Sequence, residues 1–405
     1  MTVLWAIGAG MESAPGLRRA KALGFTTIAA DGNPDAPGFA DVDHRVVMST
    51  YDATGMAQAA LDWQRTHTKK IDGVIAMSTD VPVTVATVIE ALGLPGISVA
   101  SAKLAADKLA MKDALSAHGV RVPWYAPVAS VDELRDIVRR KGDDLVLKPV
   151  DGRGARGVLR LIGAQDLDDC WTRSMSVSPS KRLMVERFIP GPQISTEGML
   201  FVDGAEVPGF IDRNYSDAQR FLPFVIEDGG EQPSVLAEAS RDAVRKITVD
   251  AAYALGARTG TVKGDIVLGP DGATVIEVAL RLSGGWMSSD QIRLGTGVDF
   301  LDAALLQAVG RPPSRDALRA TREDGVAIRY FFPPTGRVRA IEGVEQFRAE
   351  PWVHRLEIAI APGETIQATT DHTKRAGLVI TTGADRAEAV ARAEQVVRDV
   401  RFILD

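Results

Sequence analysis

The sequence predicts a chain that begins as an α/β unit with a parallel sheet and continues as α+β units rich in antiparallel strands. Three observations lead there. Over residues 1–105, strand-like apolar runs alternate with helical ones, the pattern of a parallel sheet crossed by helices. From Trp124 to Asp203, strand-like runs lie close together and outnumber the helices. Near Asp271 a Gly-Pro-Asp-Gly turn joins two long apolar runs, which favours a hairpin.

In the first unit, VLWAIGA, FTTIAAD and IDGVIAM read as strands, while APGLRRAKALG and DATGMAQAALDWQRT read as helices. A further apolar helix is expected between Asp80 and Leu92, closed by the turn at Pro95 and Gly96. A helical stretch from Ser101 to His118 leads into the second unit. There, DDLVLKPV, GVLRLI, KRLMVERFI and ISTEGMLFV are expected strands, interrupted by the helices VDELRDIVRRK and AQDLDDCWTRS. AEVPGFIDRNY extends the antiparallel region, and EASRDAVRKITVDAAYALG has the 3.6-residue period of a long helix that ends at Gly256. GTVKGDIVL and ATVIEVAL form the hairpin, followed by a helix in VDFLDAALLQAVG and a connector from Arg311 to Asp324. The last unit has strands in GVAIRYFF, VHRLEIAI and AGLVITT and a closing helix in RAEAVARAEQVVRDVRF. The expected division is therefore 1–105, 106–185, 186–312 and 325–405, which suits 405 residues that exceed one ordinary core.

Composition narrows the function. A 45% hydrophobic and 25% charged chain can fill cores and solvate a surface. A formal charge of -6 leaves no basic footprint for nucleic acid and no polybasic stretch for an anionic membrane. The single cysteine, Cys170, excludes an intrachain disulfide framework, and the five histidines show no metal-ligand spacing. No apolar run reaches the ~20 residues of a membrane helix. Residues 1–10 lack the basic region of a signal peptide and run into a glycine turn. A cytoplasmic protein is expected.

Four local patterns carry chemistry. Asp265 and Glu277 stand at equal distances from the hairpin turn, so the register sets them opposite each other on one face. Two facing carboxylates repel unless a cation lies between them, and Mg²⁺ prefers oxygen ligands with room for phosphate oxygens. A solvated acidic pair is the plain alternative. Arg281 follows at the head of RLSGGW, where a fixed cation could steady negative charge on a phosphoryl or acyl-phosphate group. Lys148 ends an apolar strand before DGRGARG, whose Gly152, Gly154 and Gly157 run strand to strand and so fail the context of a dinucleotide fingerprint. Such a loop can still bring amide N–H groups to phosphates, with Lys148, Arg153 and Arg156 supplying charge. Glu186 and Glu197 flank a Pro-Gly turn that could meet an adenine edge and ribose hydroxyls.

Taken in order, Lys108 in ADKLAMKDAL, Lys148 in LKP, the loop DGRGARG, Glu186 in VERFIPG, Asp265, Glu277 and Arg281 resemble the ATP-grasp superfamily, most of all its carboxylate–amine ligases related to amino-acid ligases and biotin carboxylase. The resemblance spans essentially the whole chain. It implies an ATP-grasp fold with a pre-ATP-grasp domain up to about residue 105, two ATP-grasp subdomains and a carboxy-terminal α+β subdomain. It also implies that Lys108, Lys148 and the glycine loop contact phosphates, that Glu186 and the backbone at Arg187 and Phe188 hold adenine, and that Glu197 reaches ribose. Asp265 and Glu277 would bind Mg²⁺ or Mn²⁺, with Arg281 and Lys148 acting in catalysis. The implied reaction makes an acyl phosphate from a carboxylate and ATP, which an amine then displaces; small-molecule substrates and a homodimer are family expectations.

One position departs from the pattern. The family usually carries Asn two residues after the second acid, and this chain has Ala279. For the substrates, Arg213, Lys263, Arg293 and Arg329 are candidate carboxylate grips, and Asp80 is a candidate for an amine or a helix N-cap. Two rival readings have their own features. Gly8, Gly10, Gly16 and Asp31 could mark an NAD-type oxidoreductase, although their spacing differs from G-x-G-x-x-G, and Ala279 would suit an ATP-binding module without turnover.

Overall fold

The computed structural model describes residues 2–142, 144–163 and 166–405. Strands β1 (Val3–Ile7), β2 (Thr26–Asp31), β3 (His44–Val47) and β4 (Gly73–Ile75) form a parallel sheet in the order β3-β2-β1-β4. Side chains of β1 alternate between two cores: Val3, Trp5 and Ile7 enter one, Leu4 and Ala6 the other. Burial on both faces is why this strand reads as an unbroken apolar run.

The expected helix from Ser101 to His118 is two helices, Val99–Ala106 and Lys108–Ala117. Asp107 is extended at the break, and its carboxylate accepts the N–H groups of Leu109 and Ala110, capping the second helix. The cap starts that helix at Lys108, which places Lys108 and Lys112 one turn apart on one face.

Next comes a four-stranded antiparallel sheet of β5 (Tyr125–Val128), β6 (Leu145–Pro149), β7 (Leu159–Leu161) and β8 (Leu183–Arg187), in the order β5-β8-β6-β7. Helices Val131–Lys141 and Leu167–Val177 cover it and share a core with Leu145, Leu147 and Val185. Ala164 and Gln165, the start expected for the second helix, lie outside the described residues.

Strands β9 (Gln193–Phe201), β10 (Gly204–Asn214), β11 (Gly229–Gln232), β12 (Gly260–Gly269), β13 (Gly272–Ala279) and β14 (Gly325–Tyr330) belong to one eight-stranded sheet. A small sheet follows, in which β15 (Gly336–Glu342) has β17 (Thr365–Ile366) and β19 (Arg401–Leu404) as neighbours. Strands β16 (Val353–Ile358) and β18 (Gly377–Gly383) complete the large sheet, whose order is β13-β12-β9-β10-β11-β14-β18-β16. The carboxy-terminal segment therefore shares its sheet with the hairpin that carries Asp265 and Glu277. Its closing helix ends at Asp399, and β19 begins at Arg401, within the stretch read as helix. Among the described residues, no helix is long and apolar enough to cross a membrane.

Candidate active site

The hairpin β12–β13 turns through Pro270 and Asp271 and pairs Asp265 directly with Glu277. A bulge follows at once, because Ile266 pairs with Val275 and leaves Ile276 as the extra residue. On its other edge β12 pairs with β9, setting Asp265 beside Ser195 and Lys263 beside Glu197. Asp265 is buried. Its carboxylate accepts the Ser195 hydroxyl at 2.9 Å, pairs with Lys263, and has the Arg213 guanidinium at 3.6 Å. Burial would raise its pKa, but Arg213 and Lys263 outweigh that and hold the carboxylate well below the ordinary range. Glu277 remains about one-third exposed and meets Lys108 Nζ at 3.2 Å.

No group of three or more His, Cys, Asp or Glu side chains able to hold a metal occurs among the described residues. Two oxygen donors on one face still fit Mg²⁺, which is commonly bound by one or two carboxylates with waters and substrate phosphates completing its shell. Asp265 and Glu277, paired across the ladder, would be the residues to supply those donors. Ala279 stands opposite Lys263 on the same ladder and adds no oxygen from its side chain.

Beside this pair lies a buried group of charges. Glu186 is 3% exposed, and its two oxygens pair with Lys148 and, at 2.8 Å, with Lys112. Burial would raise the Glu186 pKa; the two ammonium groups outweigh it and lower it. Lys112 is itself 1% exposed, and burial lowers its pKa to about 8 against the pull of Glu186. Its ammonium also donates to the carbonyl of Ile276 at 3.2 Å, the bulged residue beside Glu277. One cation thus ties the lysine strand β6 and its partner β8 to the acidic hairpin.

The glycine loop lies above this group. Gly154 and Gly157 have φ of +60° and +69°, a conformation in which a side chain would be strained. Gly152 O accepts from Lys108 Nζ at 2.8 Å, and Gly154 O accepts from the His372 N–H at 3.0 Å. Arg153 contacts the Tyr51 hydroxyl and Asp80, the latter at 3.3 Å. The loop therefore touches both the parallel-sheet domain and the carboxy-terminal segment.

Asp80 joins this contact to the hairpin, since it accepts from Arg281 Nε at 3.0 Å. Burial is opposed by this ion pair, which keeps Asp80 low and Arg281 high in pKa.

 Asp80 thus stays ionised, with Arg281 and then Arg153 as its counter-charges. A polar cluster continues from Arg213, which pairs with Glu227 at 2.8 Å. Arg375 donates to Glu227 O at 2.6 Å and lies over the Tyr330 ring, with its guanidinium carbon 3.5 Å from the centroid. His372 is enclosed there; burial, then Arg375 and Arg213, push its pKa well below the ordinary value, so it is neutral. Glu12 reaches the same region from the turn after β1, accepting the Gly285 N–H at 2.8 Å.

These contacts sort the residues expected from sequence. Lys108, Lys148, Gly152, Gly154, Glu186, Asp265, Glu277, Arg281, Asp80 and Arg213 are connected through the contacts above, whereas Gly157 O accepts from the Ser174 hydroxyl at 2.6 Å on the covering helix. Glu197 is not an open ribose ligand: it is 0% exposed and filled by bonds from Ser283 N and from the Ser283 and Ser288 hydroxyls. The Glu186 side chain serves the two lysines, and the N–H groups of Arg187 and Phe188 are donated to the carbonyls of Trp124 and Asp144. Asp80 is neither an N-cap nor a free amine acceptor, because Val81 is the cap position and two arginines hold its carboxylate. Arg293 is a surface partner of Asp299, and Arg329 is committed to Glu231 and Glu394. Asp31 accepts the N–H groups of Ala9 and Asn33, which fixes the turn between β1 and Glu12.

Lys112, Glu12, Glu227, His372 and Arg375 had no signal of their own in the sequence. Lys112 has one faint cue in hindsight, its spacing of four from Lys108 on a helix.

Comparison with known proteins agrees with this architecture. Residues 17–96 match an ATP-grasp N-terminal domain, residues 105–285 an ATP-grasp domain, and residues 329–405 the L-amino acid ligase C-terminal domain 2. The uncharacterized protein y4rH of Sinorhizobium fredii is 25% identical over 337 residues, covering 82% of this chain and 68% of that protein. The D-alanine--D-alanine ligase of Aromatoleum aromaticum is 28% identical over 199 residues, 47% of this chain and 60% of that one. Among solved structures, the L-amino acid ligase from Bacillus licheniformis superposes with a TM-score of 0.83 at 21% identity, covering 100% of this chain and 99% of that one. Phosphoribosylglycinamide synthetase from Anaerococcus prevotii gives 0.75 at 16% identity over 100% of both chains. At such identities the superpositions speak for the fold. The three matched segments, in this order on this fold, place the chain in the ATP-grasp superfamily as an ADP-forming carbon–nitrogen ligase with an L-amino acid ligase carboxy-terminal domain.

Proposed function

We propose that this protein activates a small carboxylate as an acyl phosphate at the expense of ATP and joins it to an amine, with amino acids or similar metabolites as both substrates. Enzymes of the superfamily use ATP and Mg²⁺, and one similar structure, the biotin carboxylase domain of a Hydrogenobacter thermophilus carboxylase, was solved with MgADP and bicarbonate. The observation that carries the reading is the cross-strand pair Asp265 and Glu277, next to the lysines and Arg281.

On this reading Asp265 and Glu277 hold Mg²⁺, which neutralises charge on the nucleotide phosphates when bound. Lys108 and Lys148 balance the phosphates, and the glycine loop covers them. Arg281, oriented by Asp80, steadies the charge that develops on the transferred phosphoryl group and the acyl oxygen. Arg213, oriented by Glu227, faces the carboxylate substrate. Alignment and charge neutralisation do the work, and no covalent protein nucleophile is needed. Such substrates suit a cytoplasmic setting.

The test is a panel of amino acids and small acids, alone and in pairs, with phosphate release as the readout. ADP and phosphate should form only when Mg²⁺-ATP, a carboxylate and an amine are all present, and hydroxylamine should trap the acyl phosphate as a hydroxamate. ATP binding with no turnover across the panel would instead support a binding module, and a nicotinamide absorbance change would support an oxidoreductase.

A further inference from the structure

Glu12 differs from the other carboxylates around the site. Asp80, Glu186, Glu227, Asp265 and Glu277 each form an ion pair, and Glu197 is filled by serine bonds. Glu12 has no ion pair among the described residues. Its one hydrogen bond here is from the Gly285 N–H, and a second oxygen is left over. Arg281 and Arg375 lie near enough to act on it electrostatically, yet burial dominates and raises its carboxyl pKa above the ordinary value. A carboxylate so placed has acceptor capacity left for an ammonium group, and its raised pKa makes it a better proton acceptor than an ordinary carboxylate.

Its position is set by the fold. Asp31 fixes the turn at Ala9, and the Ser13 hydroxyl donates to Met77 O at 2.5 Å, so the short segment carrying Glu12 is held at both ends. The segment faces the loop that follows Arg281. Gly284 leaves room for it, since a Cβ there would come within 2.7 Å of Glu12 Oε2. Glu12, Ser78, Ser283 and Trp286 line one small cavity at this junction.

We propose that Glu12 receives the attacking amine: its carboxylate binds the incoming ammonium group and accepts one of its protons. The inference rests on the ligase reading above. The freed lone pair forms the C–N bond at the acyl carbon. The C–O bond to phosphate breaks, its electron pair stays on the phosphate oxygen, and the second nitrogen proton leaves with the phosphate.

Hydroxylamine separates this step from the one before it. It is uncharged at neutral pH and attacks an acyl phosphate without a proton acceptor, whereas an amino acid arrives as an ammonium ion. In Glu12→Gln, which keeps an acceptor for Gly285, amide formation should fall by about 100-fold or more while hydroxamate formation stays within about twofold of wild type. Glu12→Asp should recover part of the amide rate. Equal loss of both products, or loss of neither, would overturn the proposal. Calorimetric titration with L-alaninamide, an amine without a carboxylate, gives a readout that does not depend on turnover. Wild type should bind it and Glu12→Gln should bind at least about tenfold more weakly; equal binding, or none to wild type, counts against Glu12. Failure of the ligase reading shows differently, as absence of both hydroxamate and amide from wild type.

Discussion

Lys112 and Lys148 share the single carboxylate of Glu186, and each side chain in that group is almost fully enclosed. Breaking such a group is costlier than never building it, because the remaining charge stays buried. Lys112→Met should therefore destabilise the protein by about 3–5 kcal/mol, measured as a lower urea midpoint. It also removes the donor to Ile276 O, so a larger Mg²⁺ requirement for ATP turnover should accompany the loss of stability. Arg281 has the opposite balance. Its partner Asp80 keeps Arg153 after Arg281→Ala, so the fold should persist, whereas turnover should fall by about 100- to 1000-fold. Glu277→Gln should likewise abolish turnover with an unchanged circular dichroism spectrum. Wild-type rates in either variant would contradict the site.

Two elements place these residues. The bulge at Ile276 in the hairpin and the helix start at Lys108 converge on Glu277, one by the shape of the ladder and the other by a cap. Asp107→Ala should lower stability by about 1 kcal/mol through the lost cap and weaken ATP binding through Lys108. The glycine loop is tethered by Arg153 to Tyr51 and Asp80, contacts that are partly exposed and so worth little to global stability. Arg153→Ala should leave the melting temperature nearly unchanged. Amide hydrogen exchange in residues 151–158 should nevertheless rise, and the KM for ATP with it.

Across the whole molecule the large sheet couples the carboxy-terminal segment to the hairpin. Strands β14, β18 and β16 continue the sheet beyond β11, and His372 and Arg375 reach the polar cluster from that segment. A chain ending at Asp324 should expose the β11 edge and aggregate, as seen by size-exclusion chromatography. Acid sensitivity also belongs to this scale. Glu186 and Asp265 have pKa values lowered by their lysine and arginine partners, so the folded state binds protons less readily than the unfolded chain. Their contribution is present above about pH 4, the unfolded range, and is lost as pH falls through the lowered folded values. A urea midpoint that declines from pH 5 toward pH 3 would fit; one that rises would not.

The sequence alone determined what depends on neighbours along the chain. Strand alternation and the turn residues fixed the hairpin and brought the two acids close together, but a two-residue turn alone would set Asp265 opposite Ile276, and the bulge there is what brings Glu277 opposite Asp265. The glycines of the loop and the lysine at the end of β6 were legible for the same reason. Only the tertiary structure decided which charges share a partner. Glu186 belongs to Lys112 and Lys148, Asp80 to Arg153 and Arg281, and Glu197 to two serines, each across dozens of residues or more. Burial set those pairings: a carboxylate withdrawn from water must take the donors that the fold brings to it, whatever their distance in sequence. Glu12 stands apart for the same reason, since its spare acceptor capacity appears only once the other acids of the site are seen to be filled by cations or by serine hydroxyls.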